Sequence, residues 1–476
     1  MKYTFCQELP LPFYNREQEL QFLNSKYQEK SAQLIVIYGK RRVGKTELIK
    51  QFFQDKPHLY FLADKLPESV QLFDVARKVG EFFRDSFLSD RGFGQWEQFF
   101  AYLKEKTTSE RLVIVIDEFP YLLEGNPAVA SLFQKGWDEY LKDTHAFLVL
   151  LGSSISMMES QVLWQKAPLY GRRTGQLNVQ PFTFNELVKV FSDKRFEERL
   201  AYWSALGGVP MYLLKFDPNR PFWENVRRFM LTKGELLYEE VEFILRQELK
   251  EPRNYFSILR AIALGKQKLG EIVNETGLPK NVLTKYLSVL RALRIVNKDI
   301  PVTELQPEKS KQGVYSITDN FFKFWFRFIF LNKSLLEEGQ VNPVLRKIQM
   351  QFAQWLASAY EEILPEILKQ AAHAGHVPDF PHAGHWWSGN QEIDLVAFNP
   401  EQKTILFGEA KWTRKPVGVN IFEELVAKSE LVEWQKKKRK PYFALFSKSG
   451  FTPAMIKLAK DRGIFLFHGE EFLPPW

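Results

Sequence analysis

The sequence predicts an α/β protein, and three observations support this fold class. Residues 39–46 form a glycine-containing loop between an apolar run and a helix-like stretch. A second apolar run, 112–116, ends in two acidic residues. Near the C-terminus, two segments alternate apolar and polar residues as strands do, and the second carries Glu-x-Lys. A chain of 476 residues has room for about three or four such domains.

Residues Gly39 to Thr46 read GKRRVGKT, which is a complete phosphate-binding loop pattern GxxxxGK[ST]. The apolar run 34–38 before it reads as a buried strand, and residues 47–53 after it read as a helix. The glycines let backbone N–H groups face a triphosphate. We predict that Lys45 reaches the β- and γ-phosphates and that Thr46 holds Mg²⁺. The predicted ATP contacts are Gly39, Lys40, Arg41, Arg42, Val43, Gly44, Lys45 and Thr46.

The run 112–116 is followed by Asp117 and Glu118, at the carboxyl end of a predicted buried parallel strand. Ligands bind at that edge of open α/β sheets. Asp117 is therefore predicted to support the Mg²⁺ shell, and Glu118 to orient and deprotonate the attacking water.

Further strands are predicted at 58–63, 147–151 and 177–179. The strand 147–151 ends in Gly152-Ser153-Ser154, and we predict Ser154 as a sensor of the γ-phosphate. A simple strand-to-loop turn is the alternative for Ser153. Arg172 and Arg173 precede the last strand, where they are solvated, grip an acidic patch, or stabilise the transferring phosphoryl group.

Six segments together resemble the archaeal and bacterial P-loop ATPase family related to the STAND and origin-recognition AAA+ enzymes. They cover 13–214 and read FYNREQELQFL, YGKRRVGKTELI, IVIDEFPYL, LLGSSISMME, PLYGRRTGQLNVQPF and LGGVPMYL. The resemblance implies that Asn15 and Arg16 lie near the adenine, and that Arg172 or Arg173 is an arginine finger. It also implies that Pro210 packs on the base, although 207–210 also reads as a helix stop and turn.

Residues 186–249 read as a helical lid and connector. From 252 onwards, a short helix, a turn at 277–279 and a second helix resemble a winged helix, with a wing expected in 300–317. Lys280, Asn281, Thr284 and Lys285 are expected on the exposed face of the second helix. DNA contact by this face and a role as a packing module remain alternatives.

The C-terminal strands carry Asp394 on the first and Glu409 and Lys411 on the second. A hairpin turning around Glu401 places Asp394 opposite or nearly opposite Glu409, and such like charges destabilise a sheet. A chain tolerates this most readily when a divalent cation lies between them, and oxygen ligands suit Mg²⁺ or Mn²⁺. A hairpin with a surface Glu–Lys pair is the alternative.

This pattern resembles the PD-(D/E)xK restriction-endonuclease-like fold, although Ile393 replaces the family's proline. The resemblance implies that Asp394 and Glu409 bind metal and that Lys411 positions or activates water. It also implies one acid from an upstream helix, Glu361 or Glu362, of which we expect Glu361. The expected domains are an ATPase core at 1–185, a lid at 186–250, a winged helix at 251–320 and a nuclease-like domain at 321–476.

The composition of the chain indicates its cellular location and the kind of partner it binds. The single cysteine, Cys6, excludes an internal disulfide framework and fits a cytoplasmic protein. No signal peptide and no membrane span are expected, and the aromatic segment 321–331 reads as a buried helix. The net charge of +8 and the basic run 436–440 favour a nucleic-acid partner weakly. Four histidines between 373 and 385 read as a loop rather than a metal site.

The sequence thus favours an oligomeric ATPase joined to a metal-dependent nuclease that acts on nucleic acid, with DNA preferred. One alternative is an ATP-switched DNA-binding protein with an inert nuclease fold. The other is a STAND-type signalling ATPase that acts on a protein partner.

Overall fold

A computed structural model describes residues 13–249, 251–304, 306, 310 and 312–474. The chain divides into two compact units. The first unit runs to Pro181 and also takes in Val209–Met211, and the second comprises Phe182–Gly208 and the chain from Tyr212 onwards. Cys6 lies outside the described residues. Across the described ranges, no helix has both the length and the apolar character that crossing a membrane requires.

The first unit contains a five-stranded parallel sheet with helices on both faces. Its strands are β1 Gln33–Tyr38, β2 His58–Leu62, β3 Leu112–Asp117, β4 Ala146–Gly152 and β5 Gly175–Asn178, in the order β2-β3-β4-β1-β5. Its helices are α1 Glu17–Gln28, α2 Lys45–Phe53, α3 Glu68–Phe83, α4 Ser86–Arg91, α5 Trp96–Thr107, α6 Phe119–Gly125, α7 Val129–Gly136 and α8 Ile155–Met157. Single π-helical turns follow α7 and α8.

The apolar runs in the sequence form β1, β3 and β4, which are the three central strands of this sheet. Every residue of β1, β3 and β4 is buried, as expected for parallel strands covered on both faces. All five predicted strands are present. The last begins at Gly175 rather than 177, because Ile35 on β1 already pairs with Gly175.

The second unit begins with helices. These are α9 Leu187–Val190, α10 Phe196–Leu206, α11 Pro210–Leu213 (which begins in the first unit), α12 Phe222–Asn225, α13 Leu236–Glu248, α14 Pro252–Ala263, α15 Leu269–Thr276 and α16 Lys280–Ala292. A hairpin of β6 Val296–Asp299 and β7 Val314–Ile317 follows, then α17 Asn320–Phe324, α18 Lys333–Glu337 and α19 Val341–His373. The aromatic segment 321–331 is helical and largely buried, as predicted.

The second unit ends in a mixed six-stranded sheet. Its strands are β8 His382–Ser388, β9 Gln391–Asn399, β10 Thr404–Lys411, β11 Lys440–Ser447, β12 Phe465–His468 and β13 Glu471–Leu473, in the order β13-β12-β11-β10-β9-β8. One apolar cluster joins this sheet to α19, and a second joins it to α20 Val419–Ser429 and α21 Pro453–Arg462. The predicted C-terminal strand pair is therefore present as β9 and β10.

Helices α14 to α16 and the hairpin β6–β7 follow the order expected from the helix-turn-helix pattern. Gly277 ends α15 with a φ of 68°, and Lys280, Asn281, Thr284 and Lys285 are exposed on α16 as expected. The segment between β6 and β7 contacts the edge strand β8. The Val302 N–H donates to the His385 carbonyl at 3.0 Å.

The sequence after the Glu-x-Lys strand predicts a helix over 422–438. Helix α20 instead ends at Ser429, where the Arg439 guanidinium donates to the Ser429 carbonyl at 2.8 Å. The loop expected around the histidines is present between α19 and β8, but His373 belongs to α19, and His382 and His385 belong to β8, which pairs with β9.

Candidate functional site

The phosphate-binding loop links β1 to α2, and its two glycines have different roles. Gly39 has a φ of 156°, and a Cβ atom there would lie 2.3 Å from the Val179 carbonyl oxygen. Gly44 has a φ of 89° and directly precedes α2. The first glycine therefore permits a close approach of two chain segments, and the second permits the left-handed turn into the helix.

Lys45 lies within the loop that it is predicted to serve. Its Nζ donates to the Gly39 carbonyl at 3.1 Å and to the Lys40 carbonyl at 2.9 Å, and the residue is 5% exposed. Burial lowers the pKa of Lys45 to about 8, although Glu118 and Asp117 oppose that shift. The ammonium group thus donates hydrogen bonds to carbonyl oxygens of the loop, and a bound phosphate would replace these carbonyls as its partner.

Thr46 and Asp117 meet, as the two motifs predict. The Thr46 hydroxyl donates to Asp117 Oδ2 at 2.8 Å, and the Tyr60 hydroxyl donates to the same oxygen at 2.6 Å. Asp117 is 2% exposed. A hydroxyl beside a carboxylate fits the oxygen ligands that Mg²⁺ prefers. Tyr60, which no motif indicates, fixes the carboxylate, and burial followed by the Asp117 hydrogen bond raises the pKa of Tyr60.

Glu118 directly follows β3 and has a φ of 52°. Its carboxylate accepts hydrogen bonds from the Ser153 hydroxyl and, at 3.3 Å, from the Ser153 N–H. Ser154, the predicted phosphate sensor, is half-buried and directly precedes α8. The structure therefore brings Ser153, which the sequence favoured less, to the predicted catalytic acid.

Arg172 and Arg173 both have partners inside the first unit. Arg172 donates to Asp138 through Nε at 3.2 Å and through NH2 at 3.0 Å. Arg173 donates to the Leu163 carbonyl at 3.1 Å, and its guanidinium lies 5.3 Å from the centre of the Tyr170 ring. Three alternatives were open for these arginines: solvation, contact with an acidic group, or stabilisation of the transferring phosphoryl group. Within one chain, Arg172 contacts an acidic group, Asp138.

The residues expected near the adenine are held tightly. Asn15 and Arg16 have φ of 50° and 101° and are 6% and 7% exposed. One Arg16 nitrogen donates to the carbonyls of Val43, at 3.2 Å, and Gln180, at 2.6 Å. Arg16 therefore ties the start of α1 to the phosphate-binding loop. Pro210 is half-buried at the start of α11.

In the second unit, Asp394 and Glu409 lie at adjoining positions of β9 and β10. The ladder between the strands ends at the pair Leu395 and Gly408, and Asp394 and Glu409 are the next residues beyond that pair. The Ala410 N–H donates to Asp394 Oδ2 at 2.8 Å. Burial and then the Glu409 charge raise the pKa of Asp394 to about 6. The hairpin expected from the sequence is therefore present, and Glu409 is near enough to Asp394 for its charge to act on it.

A β-bulge lies at the same place. Strand β8 pairs through Gly384 with Val396 and through Trp386 with Ile393, so only His385 stands opposite Asp394 and Leu395. Bulges of this kind increase local twist and re-aim side chains.

Two lysines compensate Glu409. Its side chain is 6% exposed, Lys411 Nζ donates to Oε1 at 2.7 Å, and Lys428 Nζ donates to both carboxylate oxygens at 3.1 Å. Burial alone would lower the pKa of Lys411, but the hydrogen bond and charge of Glu409 raise it. Lys428 lies on α20, seventeen positions beyond Lys411, and no motif in the sequence pointed to it.

Helix α19 brings a third carboxyl group to this place. Burial, followed by the Asp394 charge, raises the pKa of Glu361 to about 8, and Glu392 and Glu409 act in the same direction. Its neighbour Glu362 instead accepts a hydrogen bond from Lys323. Of the two acids that the sequence left open, Glu361 is therefore the one that interacts with the strand carboxylates.

The donor atoms of this cluster are the hard oxygens that suit Mg²⁺ or Mn²⁺. Their arrangement is an ion-paired one, because both oxygens of Glu409 receive Lys428. Within the described ranges, no three His, Cys, Asp or Glu side chains are grouped so as to hold a metal ion. The residues fit a divalent cation in chemistry, and Lys428 stands where such a cation would bind Glu409.

The basic run 436–440 lies away from this cluster. Lys440 pairs with Thr404 at the start of β10, whereas Glu409 pairs with Leu445 five positions later, roughly 17 Å along the strand. Lys440 therefore lies well away from Glu409 along the sheet. Arg439 donates a hydrogen bond to the carbonyl of Ser429, the last residue of α20.

Comparisons with known proteins support the interpretation of the first unit as an ATPase domain. A family described as an ATPase domain predominantly from Archaea matches residues 13–216, and a family described as archaeal and bacterial proteins of unknown function matches 325–430. The Walker-type ATPase PABY2304 of Pyrococcus abyssi has a TM-score of 0.51 and 22% identity, and the alignment covers 66% of this chain and 96% of that chain. This likeness supports the fold of a P-loop ATPase.

The Aeropyrum pernix ORC2 protein aligns with 71% of this chain and 97% of its own, with a TM-score of 0.43 and an identity of 13%. The protein MJECL04 of Methanocaldococcus jannaschii is 36% identical over 466 residues, which cover 97% of this chain and 100% of that protein. The chain therefore belongs to the family of MJECL04, and its N-terminal part is a P-loop ATPase of predominantly archaeal type.

Proposed function

We propose that this ATPase couples nucleotide hydrolysis to metal-dependent cleavage of nucleic acid, with DNA as the substrate class. The observation that carries the proposal is the convergence of Asp394, Glu409 and Lys411 on two paired strands with Glu361 from α19. The exposed Lys280 and Lys285 on α16 support DNA as a partner of a winged helix in this unit.

The ATPase residues have separate roles in this proposal. Lys45 neutralises the β- and γ-phosphates, Thr46 and Asp117 hold Mg²⁺, and Glu118 orients the attacking water. Ser153 fixes the Glu118 carboxylate through two hydrogen bonds. Asn15, Arg16 and Pro210 contact the base, and Ser154 senses the γ-phosphate.

Oligomer formation is part of the same proposal. Arg172 or Arg173 would act as a finger on the nucleotide of a neighbouring copy, in AAA+ fashion. Arg172 would leave Asp138 to do so. Because both side chains of that ion pair are about one-third exposed, its contribution to stability is small.

In the second unit, a divalent cation held by Asp394 and Glu409 would supply charge stabilisation at the phosphodiester oxygens. Lys411 keeps its proton at neutral pH, since its pKa is raised, and therefore orients water and phosphate as a cation rather than as a base. Without the cation, burial and the neighbouring carboxylates raise the pKa of Glu361 to about 8, so that it carries a proton at neutral pH and can donate a hydrogen bond.

Cleavage assays on linear, circular, branched and single-stranded DNA with Mg²⁺ or Mn²⁺ test this function. Wild-type protein should cleave at least one substrate, and Lys411→Ala should not. A wild-type protein that cleaves none of them with either metal would refute the nuclease proposal.

The contact of Lys428 with both Glu409 oxygens favours a second candidate, an ATP-switched DNA-binding protein whose nuclease fold is inert. DNA should then stimulate ATP hydrolysis without being cut. If DNA neither stimulates turnover nor is cut, a STAND-type ATPase acting on a protein partner is the better description.

A further inference from the structure

We propose that Lys428 is a built-in counter-cation of Glu409, and that a divalent cation reaches this carboxylate only by displacing it. This inference rests on the proposed nuclease function, because it concerns how that site is regulated. It gives Lys428 a role distinct from that of Lys411, which lies on the same strand as Glu409.

The geometry distinguishes the two lysines. Lys428 Nζ bridges both Glu409 oxygens at 3.1 Å each, whereas Lys411 Nζ contacts one oxygen at 2.7 Å. A divalent cation held by Glu409 would need a carboxylate oxygen that Lys428 Nζ contacts when no metal is bound. Lys428 and a metal ion would therefore compete for the same carboxylate.

The charges around Glu409 explain why a cation is needed there. Glu409 is almost completely buried, and Asp394 and Glu409 follow the last paired residues of β9 and β10. Glu361 lies close enough for the charges of both acids to act on it. A buried carboxylate without compensation is strongly destabilising. Lys411 provides one charge for these acids, and Lys428 provides the second when no metal is bound.

Lys428 is also able to leave. Its side chain is 22% exposed and extends from the last turn of α20 on a flexible stem. The backbone at this point is fixed independently, because Arg439 donates to the Ser429 carbonyl at 2.8 Å. Displacement can therefore occur through the side chain alone, without unwinding the helix.

The test compares Lys428→Gln with wild type and with Lys460→Gln, an exposed lysine on α21. Mn²⁺ binding is measured by calorimetry, and melting temperature is measured with EDTA and with Mn²⁺. Lys428→Gln should bind Mn²⁺ about tenfold more tightly, which corresponds to ~1.4 kcal/mol. It should melt lower in EDTA and gain more from Mn²⁺, while Lys460→Gln should match wild type.

Lys428→Arg is a second variant that keeps the positive charge and should therefore fold without metal. It should bind Mn²⁺ no more tightly than wild type. Equal Mn²⁺ affinity in wild type and Lys428→Gln would overturn the inference and leave the nuclease proposal standing. Binding by Lys428→Gln alone would support it. Absence of Mn²⁺ binding in all variants would overturn both proposals. If Lys428→Gln folds only with Mn²⁺ present, the counter-cation role is supported.

Discussion

The Ser153 hydroxyl and backbone N–H both donate hydrogen bonds to the carboxylate of Glu118. The two residues follow neighbouring strands, since residues 112–116 of β3 pair with residues 146–150 of β4. Glu118 itself lies at a positive φ of 52°, a conformation that a non-glycine residue adopts rarely. The carboxylate is thus held by the residue that follows the neighbouring strand, at the edge of the sheet where the phosphate-binding loop begins.

Ser153→Ala should lower kcat for ATP hydrolysis roughly tenfold and leave KM nearly unchanged. It removes the hydroxyl contact that orients Glu118, and a lost hydrogen bond to a charged group costs about 1.5–3 kcal/mol. Ser160→Ala, which changes an exposed serine, is the matched control and should leave kcat unchanged. Ser154→Ala tests the proposed γ-phosphate sensor separately. An unchanged kcat in Ser153→Ala would contradict the role given to Ser153.

Much of this first site could be predicted because its signals are local. The loop 39–46 and the acids after 112–116 are contiguous patterns, and strand pairing brings them together without further information. Ser153 was harder to choose, because adjacent serines after one strand point in different directions and only the neighbouring strand decides between them. Lys428 was not predictable, since its contact with Glu409 depends on how α20 lies against β10.

Lys45→Ala should bind ATP weakly and reduce turnover roughly 100-fold or more, because the phosphates lose their cationic partner. Glu118→Gln should bind ATP as wild type does and hydrolyse it roughly 100-fold more slowly, because the base is lost and the shape is kept. Binding of a fluorescent ATP analogue and phosphate release separate the two effects. Normal turnover in both variants would contradict the roles given to these residues.

If Arg172 or Arg173 is a finger acting between copies, specific ATPase activity should rise with protein concentration. Protein carrying Arg172→Ala and Arg173→Ala, mixed with Lys45→Ala protein, should regain part of the turnover that each lacks. Asp138→Asn releases Arg172 from its intrachain partner and should preserve activity. Sedimentation on the same samples reports assembly, and a monomer with concentration-independent activity would exclude the finger.

The metal-free protein should lose stability as pH rises from about 5 to about 8. The carboxyl of Glu361 keeps its proton in the folded state up to a pKa of about 8, whereas its ordinary value is 4.5. The folded state therefore binds more protons across this interval, so the free energy of unfolding falls with pH. Asp394 acts in the same direction up to about 6.

Urea unfolding in EDTA across this pH range measures the effect. Glu361→Gln should flatten the slope, because an amide does not titrate. Glu362→Gln removes a carboxylate that contacts Lys323 instead and should keep the wild-type slope. Equal slopes in all three proteins would show that Glu361 is not the titrating group.

Asp394→Asn and Glu409→Gln should both abolish cleavage, yet they should change stability in opposite directions. The sequence treats the two acids alike, as a repelling pair whose relief is worth a few tenths to about 1 kcal/mol. The structure separates them, because Glu409 accepts hydrogen bonds from Lys411 and Lys428, whereas Asp394 accepts one from the Ala410 N–H.

In EDTA, Asp394→Asn should therefore melt at or slightly above the wild-type temperature, since the amide oxygen keeps the Ala410 hydrogen bond and the repulsion ends. Glu409→Gln should be destabilised by about 2 kcal/mol, because it leaves two partly buried ammonium groups without a counter-charge. Lys411→Ala should lose cleavage and retain a Mn²⁺-induced rise in melting temperature, since lysine is not a ligand. A Glu409→Gln protein more stable than Asp394→Asn would contradict the ion-paired site described above.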